Sequence, residues 1–305
     1  MANWKAKAII QKIISFFPGN YKINYLFQKY VTKGVILSDE YFYDRLGHAA
    51  KHAHFYYNEK KQFPDSTLEL GTGWYPVVPI SMFLLGADSI STIDITPLTD
   101  KGKLLVTLEK FKESIETRKI DPVFLRDQNR VNKIIALAEK GAELDYTSLL
   151  SKLNINCLHV DARNLPFDNE SFDLIHSNNT LEHIYESILK DILIEFKRVQ
   201  KKNGLQSHFI DMSDHFAHAD RSITIYNYLQ FTDSQWKRID NSVQPQNRLR
   251  INQYRNLFEE NGLKIILEDA RPGNLEDLKK VKLSAPFSSF NETDVAKSHV
   301  YLLSK

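Results

Sequence analysis

The sequence predicts an α/β fold, doubly wound around a mostly parallel seven-stranded sheet, with an N-terminal helical cap and a helical insertion. Three observations carry this expectation. Short apolar runs of strand type alternate with helix-period segments, a pattern that needs crossover connections and a sheet covered on both faces. The first such run ends in TLELGTGW, residues 67–74, where a strand stops at an acid and a two-glycine turn. Between Pro97 and Asn156 the alternation gives way to charged, helix-period sequence such as LLVTLEKFKESIETRK.

Residues 1–62 read as a helical segment capping the domain at 63–305. Residues 1–38 hold Lys5, Lys7, Lys12, Lys22, Lys29 and Lys33 and no acid, with Trp4, Ile9, Ile10, Ile13, Ile14, Phe16 and Phe17 interleaved. That is a basic amphipathic helix stopped at Pro18-Gly19. It is expected to dock its apolar stripe on the domain, and contact of residues 1–18 with a membrane surface is the second reading. Gln11 and Lys12 interrupt the apolar stretch, so it is too short to span a bilayer. His48 and His52 stand one helical turn apart and are expected to be a solvated or lid-facing pair.

Strands are predicted at 67–70, 90–95, 156–160, 172–177, 205–212, 263–268 and 298–303. Helices are predicted at 76–85, 181–201 and 247–261, the last two followed by the stop signals Asn203-Gly204 and Asn261-Gly262. A helical insertion fills 97–155, and 213–246 is expected to be a cap over a substrate.

Composition excludes some classes. The 305 residues carry 40 basic and 38 acidic side chains, so no global charge announces a nucleic-acid partner. Cys157 is the only cysteine, which rules out an intramolecular disulfide or a thiolate zinc cluster and makes a reducing cytoplasm the expected compartment. It lies in an apolar run and reads as core packing.

In a doubly wound sheet ligands sit beyond the carboxyl ends of the strands, where glycines let backbone approach them. Gly71 and Gly73 occupy such a turn, and Asp94 follows Gly73 by 21 residues at the end of the apolar run SISTIDI. An acid there can accept hydrogen bonds from two ribose hydroxyls. A dinucleotide fingerprint would need glycine where Pro76 stands, which weakens a nicotinamide reading.

The pattern resembles the class I S-adenosylmethionine-dependent methyltransferases, of Rossmann-like fold. Glu69, Gly71 and Gly73 match their acid-x-Gly-x-Gly turn, and HVDARNLPFDNESFDLIHS matches their adenine-side strand, turn and fourth strand. RVQKKNG is similar to the segment before their fifth strand, and LELGTGWYPVVPI, HFIDMSDHF and YLQFTDSQWKR resemble methyltransferases of bacterial surface-polysaccharide synthesis. The resemblance implies S-adenosylmethionine as cofactor, with Glu69, Gly71, Thr72, Gly73 and Trp74 around its methionine half. Asp94 and Ile95 would meet the ribose side, Asp161 and Ala162 the adenine, and Asn178 would complete the set. Tyr75 departs from the family's frequent third glycine.

Methyl transfer to a hydroxyl needs little beyond positioning and a proton acceptor. His215, oriented by Asp211 or Asp214, is the first candidate for the base, and His183 lies after the fourth strand. Glu182-His183 match part of a Glu-x-x-Glu-His metal motif of some related methyltransferases, but Asn179 replaces its first glutamate, so the set is read without a metal. Tyr226, Tyr228, Trp236, Arg248, Arg250 and Tyr254 would suit a polar ring such as a sugar, but ordinary packing of a cap subdomain explains the same composition and is the favoured reading for each. The function expected is methylation, at oxygen, of a small molecule or glycan precursor. A cofactor-binding protein without turnover and a peripheral membrane enzyme acting on a lipid-linked acceptor are the alternatives.

Overall fold

The computed structural model describes residues 3–17 and 36–305. The Pro18-Gly19 stop, Lys22, Lys29 and Lys33 lie outside the described residues. The chain forms two compact units, and neither is a single stretch of sequence. One contains Leu37–Asn178, Ile194–Ser207 and Leu303–Lys305; the other contains the described residues up to Ile36, Asn179–Leu193 and His208–Leu302. Residues 1–62 are therefore divided between them.

Helix α1 (Trp4–Ser15) is capped by Asn3, and α2 (Asp39–Lys60) by Ser38, each side chain accepting a backbone N–H of the first turn. Strand β1 (Ser66–Leu70) is buried at every position and is followed by α3 (Val77–Leu85), whose nine residues are all buried. Such a helix is apolar all round because no face of it meets water. Strand β2 (Ser89–Asp94) leads into α4 (Lys101–Glu116), α5 (Gln128–Lys140) and α6 (Tyr146–Lys152). Each of these three begins at an aspartate, Asp100, Asp127 or Asp145, whose carboxylate accepts from the first turn. Such caps contribute about 1 kcal/mol apiece. The region expected to lack strands thus folds as three helices with short 3-10 turns between them.

Strands β3 (Ile155–His159) and β4 (Phe172–Asn178) precede α7 (Glu186–Val199) and β5 (Gln200–Asp211). Then come α8 (Asp233–Ile239), α9 (Ile251–Glu260), β6 (Ile265–Arg271), three short helices, α10 (Leu275–Lys279), α11 (Ala285–Ser288) and α12 (Glu292–Ala296), and β7 (His299–Ser304). The strand order is β3-β2-β1-β4-β5-β7-β6, mostly parallel with an antiparallel edge. β1 lies between β2 and β4, parallel to both, with Leu70 opposite Ile93 on one side and Ser177 on the other. All seven expected strands are present, and the α/β class holds.

Two helix starts differ from expectation. The helix predicted from 181 begins at Glu186, and Leu181–His183 form a 3-10 turn instead. Asn247 is the reason: its amide donates to the carbonyls of Leu181 and Ile184, both at 2.8 Å, and its N–H to that of Glu182. These acceptors are then taken from α-helical hydrogen bonds. The helix predicted from 247 begins at Ile251, because Arg248 adopts a left-handed φ of 61° while its guanidinium reaches the carbonyls of Tyr228 and Phe231.

The second unit has its own aromatic core. Phe216, Tyr226, Tyr228, Leu229 and Trp236 pack with Ala8 of α1 and with Leu278, Phe287 and Val295. Gly273 has a φ of 73°, and a Cβ there would lie 1.7 Å from the Ala296 carbonyl oxygen, so no other residue fits. Arg250, fully buried, ties segments together by donating to Met212 O, Val295 O, Lys297 O and Tyr228 Oη. Tyr226, Tyr228, Trp236, Arg248, Arg250 and Tyr254, the side chains that suited a sugar ring, are all buried, and the first three belong to this core.

Candidate functional site

Strand ends and one glycine turn build the first constellation, within the first unit. β1 delivers Glu69 and Leu70 to the turn, where Gly71 and Gly73 take φ values of 91° and 65° that side chains with a Cβ rarely adopt. Gly71 N–H donates to Ile93 O at 2.8 Å, tying the turn to β2. Gly73 N–H donates to Asp94 Oδ2 at 3.3 Å, and Thr96 N–H to Asp94 Oδ1 at 3.0 Å. Asp94, half-buried at the end of β2, is thus fixed by two backbone donors. Burial pushes its carboxyl up, against the pull of the Thr96 and Gly73 N–H groups.

Glu69 is the acid of the acid-x-Gly-x-Gly turn. It is buried, and desolvation pushes its carboxyl up to about 8, although the Thr92 hydroxyl donates to its Oε2 at 2.9 Å and Arg45 pulls the other way. Thr92 is itself bonded to Thr72 Oγ1 at 2.7 Å. Thr72 therefore packs beneath the turn, while Trp74 is half-exposed with the Lys103 ammonium 5.4 Å from its ring. Above Gly73 there is room: the nearest atom to an added Cβ is Tyr41 Oη at 3.9 Å. Ile95 is 78% exposed, an apolar side chain beside the aspartate that a flat ring can cover.

Asp161 follows β3 and Ala162 is buried beside it. The Asp161 carboxylate is taken by its neighbour Arg163, with Nη2 to Oδ2 at 2.6 Å and Nε to Oδ1 at 3.0 Å, which holds it below the usual carboxylate range. The pair is solvent-facing and therefore weak. Asn178 ends β4, and its Oδ1 lies 2.9 Å from His52 Nε2; His52 Nδ1 reaches Ser207 Oγ at 2.6 Å. His48 and His52 are both buried, which corrects their expected solvated position. Cys157 is half-buried and no tightly packed core residue; burial raises its thiol pKa.

A second constellation lies within the second unit. The 3-10 turn presents Glu182 and His183, and the loop after β5 presents His215, the ligand atoms of the three lying within 4.8 Å of one another. His183 Nδ1 stands 2.7 Å from Pro245 O, which fixes that nitrogen as the protonated one and leaves Nε2 as an acceptor. Burial lowers the His183 pKa to about 4, helped by His215 and opposed by the Pro245 carbonyl. The His183 and His215 rings are 4.9 Å apart, and His218 stacks on His215 at 5.2 Å.

Asp211, at the end of β5, has Oδ2 3.4 Å from His215 Nε2 and Oδ1 3.4 Å from His299 Nε2. Burial raises its carboxyl, but the His215 and His299 rings and the Ser213 side chain together outweigh that and leave it well below the usual range. Asp214 is occupied elsewhere: it accepts from Phe216 N–H at 2.8 Å and from Asn227 Nδ2 at 3.1 Å. Asp211 is therefore the carboxylate beside His215, and Asp214 builds the turn.

Sequence reading missed Thr92, Arg45 and Tyr41 around the glycine turn and the Pro245, Gln246 and Asn247 loop around His183. For Arg45 a signal existed, since it lies on the same helical stripe as His48 and His52. None existed for the loop, whose contacts span more than sixty residues, 62 for Pro245 and 66 for Asn247.

Residues 130–207 match the family model described as "Methyltransferase domain". The matched stretch holds Asp161, Ala162 and Asn178 and leaves Glu69, the glycine turn and Asp94 outside it. That match, on a seven-stranded α/β sheet, supports a SAM-dependent methyltransferase and names no acceptor. No curated protein gives a significant sequence match.

Solved structures with similar chains include the PH0226 protein from Pyrococcus horikoshii OT3, 12% identical over 95% of this chain and 99% of that one, TM-score 0.48. A SAM-dependent methyltransferase from Methanosarcina mazei is 13% identical over 82% and 95%, TM-score 0.44. Geranyl diphosphate methyltransferase in complex with SAM is 10% identical over 88% and 91%, TM-score 0.45. Among the described residues no helix is long and apolar enough to cross a membrane.

Proposed function

We propose that the chain is a SAM-dependent methyltransferase that methylates an oxygen of a small molecule or glycan precursor. The observation that carries the reading is the coupling of the open glycine turn to Asp94, whose carboxylate accepts Gly73 N–H at 3.3 Å. Glu69 to Trp74 would border the methionine half of the cofactor, Asp94 and Ile95 the ribose side, and Asp161 with Ala162 the adenine, with Asn178 beside them. Bound there, S-adenosylmethionine supplies an electrophilic methyl group on a sulfonium. This chain's residues then have to orient an acceptor hydroxyl and take its proton. His215, steadied by Asp211, is the base, because an imidazole beside an ionised carboxylate can hold that proton.

Calorimetric titration with S-adenosylhomocysteine tests the reading. Saturable heat with a dissociation constant at or below the micromolar range is expected, and no heat at millimolar ligand would refute it. A cytoplasmic location accords with the single cysteine and remains part of the proposal.

A second version of the same function is favoured by one observation, the convergence of Glu182, His183 and His215. Two imidazoles and a carboxylate suit a divalent transition metal, and the Pro245 carbonyl orients His183 as an outer-shell partner would. A metal held there would lower the pKa of an acceptor hydroxyl and relieve His215 of its role as base. Thermal shift with Zn²⁺, Mn²⁺ or Mg²⁺ decides between the versions. A rise abolished by Glu182→Gln favours the metal, and no shift favours the histidine base.

A further inference from the structure

Helix α1 has two apolar faces, and the second unit covers only one. Its inward face is Trp4, Ala8, Gln11 and Ile14. The Trp4 ring lies 5.9 Å from those of Phe216 and Phe231, and Gln11 Nε2 donates to Gln244 Oε1 at 3.1 Å. Lys12 Nζ donates to the carbonyls of Asp240 and Lys237 at 2.6 and 3.1 Å, which fixes the helix against α8. The outward face is Ile9, Ile10, Ile13, Phe16 and Phe17, exposed by 60, 41, 53, 77 and 54%.

At 3.6 residues per turn Ile9, Ile10 and Ile13 fall within an arc of about 100°, and the exposed Phe16 and Phe17 follow directly at the end of the helix. Single exposed isoleucines are ordinary, but five large exposed apolar side chains in nine residues mark a surface that is covered in use. Residues 3–17 include Lys5, Lys7 and Lys12 and no acid, and exposed Lys237 and Arg238 lie in the last turn of the adjoining α8. An apolar arc flanked by cations is complementary to an anionic lipid surface, where the apolar side chains enter the acyl boundary and the cations meet phosphates.

We propose that α1 docks the second unit on an anionic membrane surface through Ile9, Ile10, Ile13, Phe16 and Phe17, with Lys5, Lys237 and Arg238 at the lipid phosphates. The proposal stands apart from the methyltransferase reading, since it uses none of the residues assigned to cofactor or catalysis.

Sedimentation of the full chain with vesicles tests it, using phosphatidylcholine alone and phosphatidylcholine mixed with phosphatidylglycerol. The wild type should pellet with the mixed vesicles, less with the neutral ones, and less again in high salt because screening shortens the reach of the cations. The Ile9→Ser, Ile13→Ser, Phe16→Ser triple variant alters only outward side chains, and its partitioning should fall by about tenfold or more. The Lys237→Glu, Arg238→Glu variant should lose the preference for anionic vesicles. Wild-type protein left in the supernatant would overturn the proposal, as would a triple variant that pellets like wild type, the result expected if residues 18–35 cover the face. A triple variant whose only change is a smaller mass by light scattering would overturn it too, assigning the face to a second copy of the chain.

Discussion

Glu69 offers a test of the buried turn that needs no ligand. Its side chain is 3% exposed, and burial carries its carboxyl from 4.5 to about 8. A carboxyl with a raised folded pKa holds its proton more tightly in the native state than in the unfolded chain. Its contribution to stability is therefore complete below the unfolded value near 4.5 and is lost as pH rises through 8. Between those limits the native state keeps a proton the unfolded chain has released, so the unfolding free energy falls by about 1.4 kcal/mol per pH unit from this group alone. Across the window the loss is on the order of 5 kcal/mol. Glu69→Gln keeps an acceptor for the Thr92 hydroxyl and cannot ionise. Urea unfolding of both proteins, followed by tryptophan fluorescence at pH 5, 6, 7 and 8, isolates the effect, because the other titrating groups cancel in the difference. The variant should lie within about 1 kcal/mol of wild type at pH 5 and gain on it by about 1.4 kcal/mol with each unit thereafter. A difference that stays flat with pH would mean that Glu69 is ionised in the native state, and the account of its burial would be wrong.

Three further predictions follow from single side chains. Arg250→Met removes a buried guanidinium and leaves the Val295 and Lys297 carbonyls without its donor, so it should lower the unfolding free energy by about 3 kcal/mol or more, read from the urea midpoint. Asp94→Ala should weaken S-adenosylhomocysteine binding by roughly tenfold to a hundredfold in calorimetry, because it deletes the acceptor that holds Gly73 as well as the ribose partner; unchanged affinity would remove Asp94 from the site. His215→Asn should lower the rate of methyl transfer by about 10²- to 10⁴-fold with S-adenosylhomocysteine affinity unchanged. A loss of affinity without loss of turnover would reverse that assignment.

The sheet was legible because its signals are local. Most strands are apolar runs bounded by turn residues, and the turn at Gly71 and Gly73 is demanded by backbone angles that glycine adopts readily. The exception is β5, which opens on the polar residues 200–204, where Asn203-Gly204, expected to stop a helix, instead lies inside the strand. The helices of 97–155 were legible in period, and the aspartates that start them stand in the sequence at the positions the structure uses. The strand-end positions of Glu69, Asp94 and Asp161 were legible for the same reason. What could not be read was protonation. A glutamate at a strand end reads as an anion, and only the burial of β1 on both sides makes Glu69 a neutral acid.

The reading failed where one side chain overrides a local preference from far along the chain. The apolar spacing after residue 181 favours a helix, and an isolated peptide of that sequence would have its own carbonyls to bond. Asn247 takes three of those backbone groups into its own hydrogen bonds, and the Pro245 carbonyl takes the His183 imidazole. The cost in lost helical bonds goes with a position: Asn247 holds the turn and the Pro245 carbonyl the ring where the ligand atoms of Glu182 and His183 come within 4.8 Å of those of His215 from another loop. Departure from the local pattern and gathering of reactive groups thus have one cause. The expected helix was wrong at the place where the second unit collects its titratable side chains, and a strained or overridden start is where such chemistry is to be looked for.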